Sequence, residues 1–220
     1  MNRKILPLIF VFALLPISLF ALEDASSIIK DYPMYKELEQ DAQISRQFEQ
    51  YMQWLSDKAP DGAMVYDLMK NKIGTVDAIS TIFHEKVEFY GWLTLGHKYE
   101  DIMNPEYYRN HYMEVYPIAH RKAVIDEINL IKYFAQKKGF PNIPEVAYNL
   151  VSPLLERRGA TAAQMQNRLK YNLEYQPQVL FVTDADLETA VKIYEQGGYK
   201  YVDREKILSE AKTFVSNSKK

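Results

Sequence analysis

The 220-residue chain contains no cysteine, and this absence restricts both how the fold can be stabilised and which ligands and nucleophiles it can offer. Disulfide bonds, thiolate metal ligands and cysteine nucleophiles are all excluded. Any metal ion that the protein holds must therefore be bound by histidine and carboxylate side chains. Only four histidines are present, so such a site can form in few places.

The sequence also lacks an excess of positive charge. It has 27 basic and 29 acidic residues, a formal net charge of −2, and no basic stripe interleaved with aromatic residues. No nucleic-acid partner is expected, because recognition of the phosphate backbone requires clustered lysine or arginine. Serine-nucleophile motifs, phosphate-binding loops and dinucleotide fingerprints are absent as well.

The one long apolar run lies at the start of the chain. Residues 1–21 open with the basic segment MNRK, continue as ILPLIFVFALLPISLF and end at Ala21. This is the layout of a secretory signal peptide, which predicts a mature chain of residues 22–220 in the periplasm or outside the cell. An uncleaved membrane anchor is the alternative, but a run of about 17 residues containing two prolines is marginal for crossing a bilayer.

Beyond this segment the hydrophobic periodicity is helical nearly throughout. Apolar residues recur at spacings of three and four, and residues such as Thr75 can cap the helices that follow them. We therefore expect residues 22–220 to form an all-α, single-domain bundle of about six to eight helices. Two central helices are predicted over about 76–93 and 106–138, the second with a kink or break at Pro117.

The remaining helices are shorter. They are expected at about 34–55, 64–73, 144–156, 161–173 and 185–196, and after Asp203. The region near 178–183 is different, because its VLFV sequence is β-branched and aromatic and follows a proline. This composition predicts one short extended segment, either a lone strand or a buried connector. No repeat or change in composition divides the chain into two domains.

All four histidines fall between residues 84 and 120, on or beside the two central helices. His84 and Glu88 are four residues apart and share a helical face. His120 and Glu127 are seven residues apart, or two turns, and also share a face, whose other members are apolar. A charge on such a face needs a partner, because an unpaired buried charge costs several kcal/mol. The two pairs are therefore expected to face each other.

Two histidines and two carboxylates that converge from two helices predict a divalent-metal site for Zn²⁺, Fe²⁺ or Mn²⁺. His97, in or near the loop between the helices, is an alternate ligand. The segment HEKVE resembles the zinc-binding helix of metallopeptidases in His84 and Glu85, and it has Glu88 where that motif carries its second histidine. The resemblance implies metal-dependent hydrolysis, with Glu85 as the catalytic general base on a metal-bound water.

A metal-free interpretation uses the same residues. His84 and Glu88 would then be an ordinary pair one helical turn apart, and His120 and Glu127 would satisfy each other in a buried polar network. In that case the protein is a non-enzymatic binding or assembly protein of the cell envelope.

Aromatic residues bracket the histidine region. They occur in the segments FYGW and YYRNHYMEVY and at Tyr99. Tyrosine and tryptophan along a groove would suit a small molecule, a sugar or a peptide. The same spacing is also that of aromatic residues in the core and rim of a helical bundle.

Overall fold

The computed structural model describes residues 25–155, 177–199 and 203–219. Within these ranges the chain forms ten α-helices, two short 3-10 helices and no strand, which confirms the predicted all-α bundle. The α-helices are α1 (Ser26–Ile29), α2 (Pro33–Gln40), α3 (Ala42–Ser56), α4 (Pro60–Lys70), α5 (Val76–Thr94), α6 (Tyr99–Ile102), α7 (Pro105–Lys137), α8 (Glu145–Val151), α9 (Asp184–Gln196) and α10 (Arg204–Ser218). The 3-10 helices are Ser152–Leu154 and Pro177–Phe181.

Two sequence-based expectations fall outside this description. The predicted signal segment 1–21 and the helix predicted over 161–173 both lie outside the described residues. In the part of the chain that is described, no helix combines the length and hydropathy needed to cross a bilayer.

The central helices α5 and α7 begin at the residues that their caps predict. The Thr75 side chain accepts a hydrogen bond from the Ala78 N–H at the start of α5. At the start of α7, the Asn104 side chain accepts hydrogen bonds from two backbone N–H groups, and Pro105 occupies the first helical turn, where its missing N–H costs nothing. Both predicted helices are therefore present, within a residue or two of the expected ends.

A break at Pro117 is not observed, because α7 runs through this proline for 33 residues. Proline removes the hydrogen bond to the carbonyl four residues earlier, which here belongs to Met113. Both residues lie on the exposed face of α7, and Met113 is 77% exposed. Water can therefore satisfy the free carbonyl, and the helix continues.

Helices α5 and α7 pack antiparallel and very closely. Their contacts run in opposite directions along the chain, since Ser80 meets Glu127 while Gly91 meets Ala119. A Cβ atom built on Gly91 would lie only 2.7 Å from the Cβ of Ala119. Glycine is therefore required for this approach, and it brings the polar side chains of the two helices within reach of one another.

Two hydrophobic clusters meet along this helix pair. One contains Phe83 and Val87 of α5 and extends to α8, α9 and α10. The other contains Phe89 and Trp92 of α5 and extends to α3 and α4. Around the circumference of α5, His84 and Glu88 lie between these two sets of apolar residues. Their side chains therefore emerge from α5 at the boundary between the two clusters.

The predicted extended segment near 178–183 is wrong. Residues Pro177–Phe181 form a 3-10 helix, in which Val179 and Val182 are buried while Leu180 and Phe181 are exposed. Burial at a spacing of three fits the three residues per turn of a 3-10 helix, whereas a strand would bury alternate residues. The β-branched composition therefore reflects burial at two positions.

The first predicted helix, over 34–55, is divided in two. Asp41 separates α2 from α3, and its carboxylate accepts hydrogen bonds from the N–H groups of Gln43 and Ile44. This is the usual role of aspartate at a helix N-cap. The buried ammonium group of Lys86 on α5 binds both sides of the junction, through the Glu39 carboxylate at 2.8 Å and the Ser45 hydroxyl at 2.9 Å.

Candidate metal site

Three polar atoms from α5 and α7 converge at the boundary between the hydrophobic clusters. They are His84 Nε2, His120 Nδ1 and Glu88 Oε2. His120 Nδ1 lies 3.2 Å from His84 Nε2 and 3.0 Å from Glu88 Oε2, and the latter two atoms are 3.7 Å apart. We call His84, Glu88 and His120 the triad. This group could hold a metal ion.

The spacing of the triad atoms matches a coordination sphere. In a tetrahedral zinc site with ligands about 2.0–2.1 Å from the ion, neighbouring ligand atoms are about 3.4 Å apart. The three observed separations bracket this value. A point about 2.0–2.1 Å from all three atoms exists about 0.7 Å from their plane, as in a tetrahedral complex. The separations of the three atoms are therefore compatible with one bound ion.

Hydrogen bonds alone do not satisfy all three triad atoms. A ring nitrogen either donates one N–H or accepts with one lone pair, yet His120 Nδ1 lies within hydrogen-bond distance of both His84 and Glu88. When His84 Nε2 carries a proton, His120 Nδ1 can accept that hydrogen bond or can donate its own N–H to Glu88, but it cannot do both. A metal ion accepts a lone pair from all three atoms at once.

The fourth predicted residue, Glu127, lies behind the triad. Its Oε2 is 3.0 Å from His84 Nδ1, and its Oε1 accepts a hydrogen bond from the Ser80 hydroxyl at 3.2 Å. Glu127 is thus placed to accept a hydrogen bond from the Nδ1–H of His84, which leaves the lone pair of Nε2 available to an ion. Histidines that bind metals commonly have a carboxylate in this position, which fixes the tautomer and the ring orientation.

The charges around the triad favour a cation. Burial lowers the pKa of His84, but hydrogen bonds to Glu127 and Glu88 outweigh it and raise that pKa from 6.5 to about 10. Burial also opposes ionisation of Glu88, yet hydrogen bonds with His120 and His84 hold the pKa of its carboxyl below the usual value. In the metal-free protein a proton on His84 supplies the positive charge, so an ion that binds there displaces a proton.

One edge of the triad faces solvent. The side chain of His120 is 32% exposed, whereas those of His84 and Glu88 are 12% and 10% exposed. On the protein side, the His120 ring stacks on Tyr116, with centroids 4.7 Å apart. The site can therefore be approached from the His120 side.

The other two predicted site residues lie outside the triad. Glu85 is half-buried, and its carboxylate is among the groups that raise the pKa of His84. His97 hydrogen-bonds through Nδ1 to the Tyr107 hydroxyl at 2.9 Å. It lines a surface groove between α3 and the end of α5, together with Tyr90 and Tyr99.

The groove and the aromatic residues agree only in part with the sequence-based expectation. Tyr90 and Tyr99 line the groove, whereas Trp92 is fully buried and stacks on Tyr108 at 5.0 Å.

Two residues that contact the site are not among those predicted from the sequence. Ser80 contacts Glu127, and Tyr116 contacts His120. Helical spacing offered a signal for both, because Ser80 precedes His84 by one turn and Tyr116 precedes His120 by one turn.

Comparison with known proteins gives no further assignment. No protein family, curated protein sequence or solved structure matches this chain. A function for this chain is therefore inferred from the geometry and charge of the triad.

Proposed function

We propose that the protein binds one divalent transition-metal ion through His84 Nε2, Glu88 Oε2 and His120 Nδ1. The observation that carries this proposal is the convergence of three lone-pair atoms at mutual distances of 3.0–3.7 Å. Glu127 would orient His84 from the side opposite the ion. Two histidines and one carboxylate suit Zn²⁺, and the same set in a facial arrangement is typical of Fe²⁺ sites with open positions.

Metal titration of the protein, purified without a histidine tag and stripped with a chelator, tests this proposal. We expect saturable binding of one zinc ion per chain by isothermal titration calorimetry. Glu88→Gln keeps the side-chain shape and removes the anionic ligand. It should weaken binding by more than the roughly 10–100-fold that loss of an outer hydrogen-bonded partner costs.

Histidines outside the triad provide the matched controls. His111→Gln should leave the affinity unchanged, because His111 Nδ1 is bonded to the Tyr107 backbone carbonyl. His97→Gln tests the predicted alternate ligand. A loss of zinc affinity in this variant would show that His97 also binds the ion. Binding that survives both Glu88→Gln and His120→Gln would show that the ion binds elsewhere.

Metal-dependent hydrolysis extends this proposal. Three protein ligands leave a position for a water molecule, whose proton Glu85 would accept as it attacks an ester or amide carbonyl. The zinc-loaded protein should then hydrolyse activated esters, and Glu85→Gln should abolish the reaction while zinc binding is retained. If Glu85→Gln hydrolyses the ester as fast as the wild-type protein, Glu85 is not the general base.

The proposed location is outside the cytoplasm, in the periplasm or the medium, because residues 1–21 have the layout of a signal peptide. Mass spectrometry of the protein from its natural host would identify the mature N-terminus. A chain that retains Met1 in the soluble cytoplasmic fraction would contradict export.

A second candidate is a metal-free binding or assembly protein, in which the triad stabilises the packing of α5 against α7. The raised pKa of His84 favours it, because a protonated imidazole between two carboxylates is itself a buried ion pair. Under this alternative, chelation leaves the melting temperature unchanged. Under metal binding, zinc at 100 times its dissociation constant adds about 2.7 kcal/mol of stability.

A further inference from the structure

A series of aromatic rings on α7 starts at the triad. Tyr108, Tyr112 and Tyr116 precede His120 at intervals of four residues, so all four rings lie along one face of the helix. Consecutive ring centroids, taken from Tyr108 to His120, are 5.6, 4.7 and 4.7 Å apart. The last two pairs are stacked, with interplanar angles of 22° and 20°.

The series continues towards the surface at its far end. The ring of Tyr108 packs edge-on against Trp54 of α3, with centroids 5.5 Å apart. Trp54 is half-buried, and the ammonium group of Lys58 lies 4.4 Å from its ring centroid. From His120 to Tyr108 the helix rises about 18 Å, at about 1.5 Å per residue. The rings therefore connect the triad with a distant surface tryptophan.

Phenol and indole rings can give up one electron to a strong oxidant. Electron transfer weakens exponentially with the length of each step, so a chain of rings in contact carries charge farther than one long jump. Burial raises the pKa of Tyr112 and of Tyr108, so both are neutral phenols that lose a proton when oxidised. The hydroxyl of Tyr51 lies 3.2 Å from that of Tyr108, so the two phenols share a hydrogen bond.

We propose that Tyr116, Tyr112, Tyr108 and Trp54 form an aromatic relay that carries oxidising equivalents from an iron ion in the triad to the surface. The relay rests on the metal-binding function proposed above and deepens it by naming the ion and its co-reactant, a peroxide. Two histidines and one carboxylate are a ligand set that Fe²⁺ uses for reactions with oxygen species.

The electrons and protons balance with hydrogen peroxide as oxidant. Its O–O bond breaks, and it takes up two electrons and two protons to give two water molecules. Fe²⁺ supplies one electron and becomes Fe³⁺. A relay tyrosine supplies the second electron and one proton and becomes a neutral tyrosyl radical, and solvent supplies the other proton. Trp54 then returns one electron and its indole proton to the tyrosyl, so that the radical ends on Trp54.

The experiment uses the full protein loaded with Fe²⁺ under anaerobic conditions and treated with one equivalent of hydrogen peroxide. Electron paramagnetic resonance of frozen samples detects the organic radical. Dioxygen admitted to a parallel sample traps the Trp54 radical as a stable oxidation product, which peptide mass spectrometry maps. Tyr112→Phe keeps the stacked ring and removes the oxidisable phenol. We expect it to retain iron, lose oxidation at Trp54 and gain oxidation at His120.

Two controls separate the relay from general oxidative damage. Tyr133→Phe makes the same change on the same helix outside the relay, and it should leave oxidation at Trp54 unchanged. Zinc-loaded protein should show no oxidation at Trp54, because zinc cannot supply an electron. Tyr116→Phe is a second interruption of the relay and should repeat the effect of Tyr112→Phe, with circular dichroism confirming that both variants fold.

The outcomes distinguish the two proposals. If iron binds in full and Trp54 is oxidised equally in wild type, Tyr112→Phe and Tyr116→Phe, the relay is wrong and the metal site stands. If the wild-type protein binds neither iron nor zinc, the metal-binding proposal is wrong and the relay falls with it. Oxidation at Trp54 in the zinc-loaded protein would also overturn the relay.

Discussion

Two pairs of histidines have nearly the same ring geometry and very different surroundings. The rings of His84 and His120 have centroids 4.9 Å apart at an angle of 68°, and those of His97 and His111 are 5.5 Å apart at the same angle. The first pair faces carboxylates, whereas the second hydrogen-bonds to the hydroxyl and the backbone carbonyl of Tyr107. Proximity of imidazole rings is therefore common to both, and only the first pair has anionic partners.

This difference explains why one pair is a candidate site and the other is not. Neutral oxygen partners occupy the Nδ1 atoms of His97 and His111 and bring no negative charge to a cation. The carboxylates of Glu88 and Glu127 bring negative charge to the first pair, and both lie within the packed interface of α5 and α7. In the described part of the chain, only the triad brings three histidine or acidic ligand atoms this close together.

Removing a carboxylate from the first pair should have the largest effect. In metal-free protein, Glu88→Ala removes the carboxylate bonded to His120 and one of the two carboxylates beside the protonated His84 ring, and we expect a loss of about 1.5–3 kcal/mol in the free energy of unfolding. Tyr107→Phe removes one neutral hydrogen bond from the second pair and should cost about 1 kcal/mol. Urea denaturation with a chelator present measures both, and equal losses would show that the two pairs are energetically alike.

Raising the pH should act on the first pair without any mutation. The pKa of His84 is about 10 when folded, compared with about 6.5 when unfolded, so the folded state binds the extra proton. The resulting stabilisation is complete below about pH 6.5 and is lost as the pH rises through about 10, at up to about 1.4 kcal/mol per pH unit. Zinc affinity should rise over the same window, because the ion replaces this proton.

His84→Gln isolates this pH effect from other groups that titrate near pH 10. Denaturation curves of the metal-free variant should lack the part of the slope that His84 supplies. A wild-type protein and a variant with identical pH profiles between 7 and 10 would show that His84 is not the group responsible.

Much of this comparison could be predicted from helical spacing. The four-residue and seven-residue intervals placed His84 with Glu88 and His120 with Glu127 on faces that meet, because both intervals return to the same side of a helix. The close approach at Gly91 was not predictable, since the spacing of one helix contains no information about its distance from another. That distance decides whether the triad atoms lie at coordination distance.

The errors have a common physical origin as well. Helical spacing treats Glu127 as equivalent to Glu88, but the two carboxylates meet different edges of the His84 ring. Glu127 Oε2 contacts Nδ1, whereas Glu88 Oε2 lies on the Nε2 side. The VLFV segment forms a 3-10 helix although its composition predicts a strand, because strand propensity reflects side-chain packing and burial more than a backbone preference. In both cases the residue type indicates burial or charge correctly, but the spacing along one chain segment does not reveal which residues lie next to it in space.

The smallest expected effects concern the residues behind the triad. Glu127→Gln should reduce zinc affinity by about 10–100-fold, because the Nδ1 proton of His84 loses its anionic acceptor while the three ligands remain. Ser80→Ala removes only the hydroxyl that donates to Glu127 at 3.2 Å, so its effect should be at most about tenfold, or roughly 1.4 kcal/mol. Calorimetric titration of both variants checks this order, and a larger loss in Ser80→Ala than in Glu127→Gln would mean that Ser80 acts on the ion by a route other than Glu127.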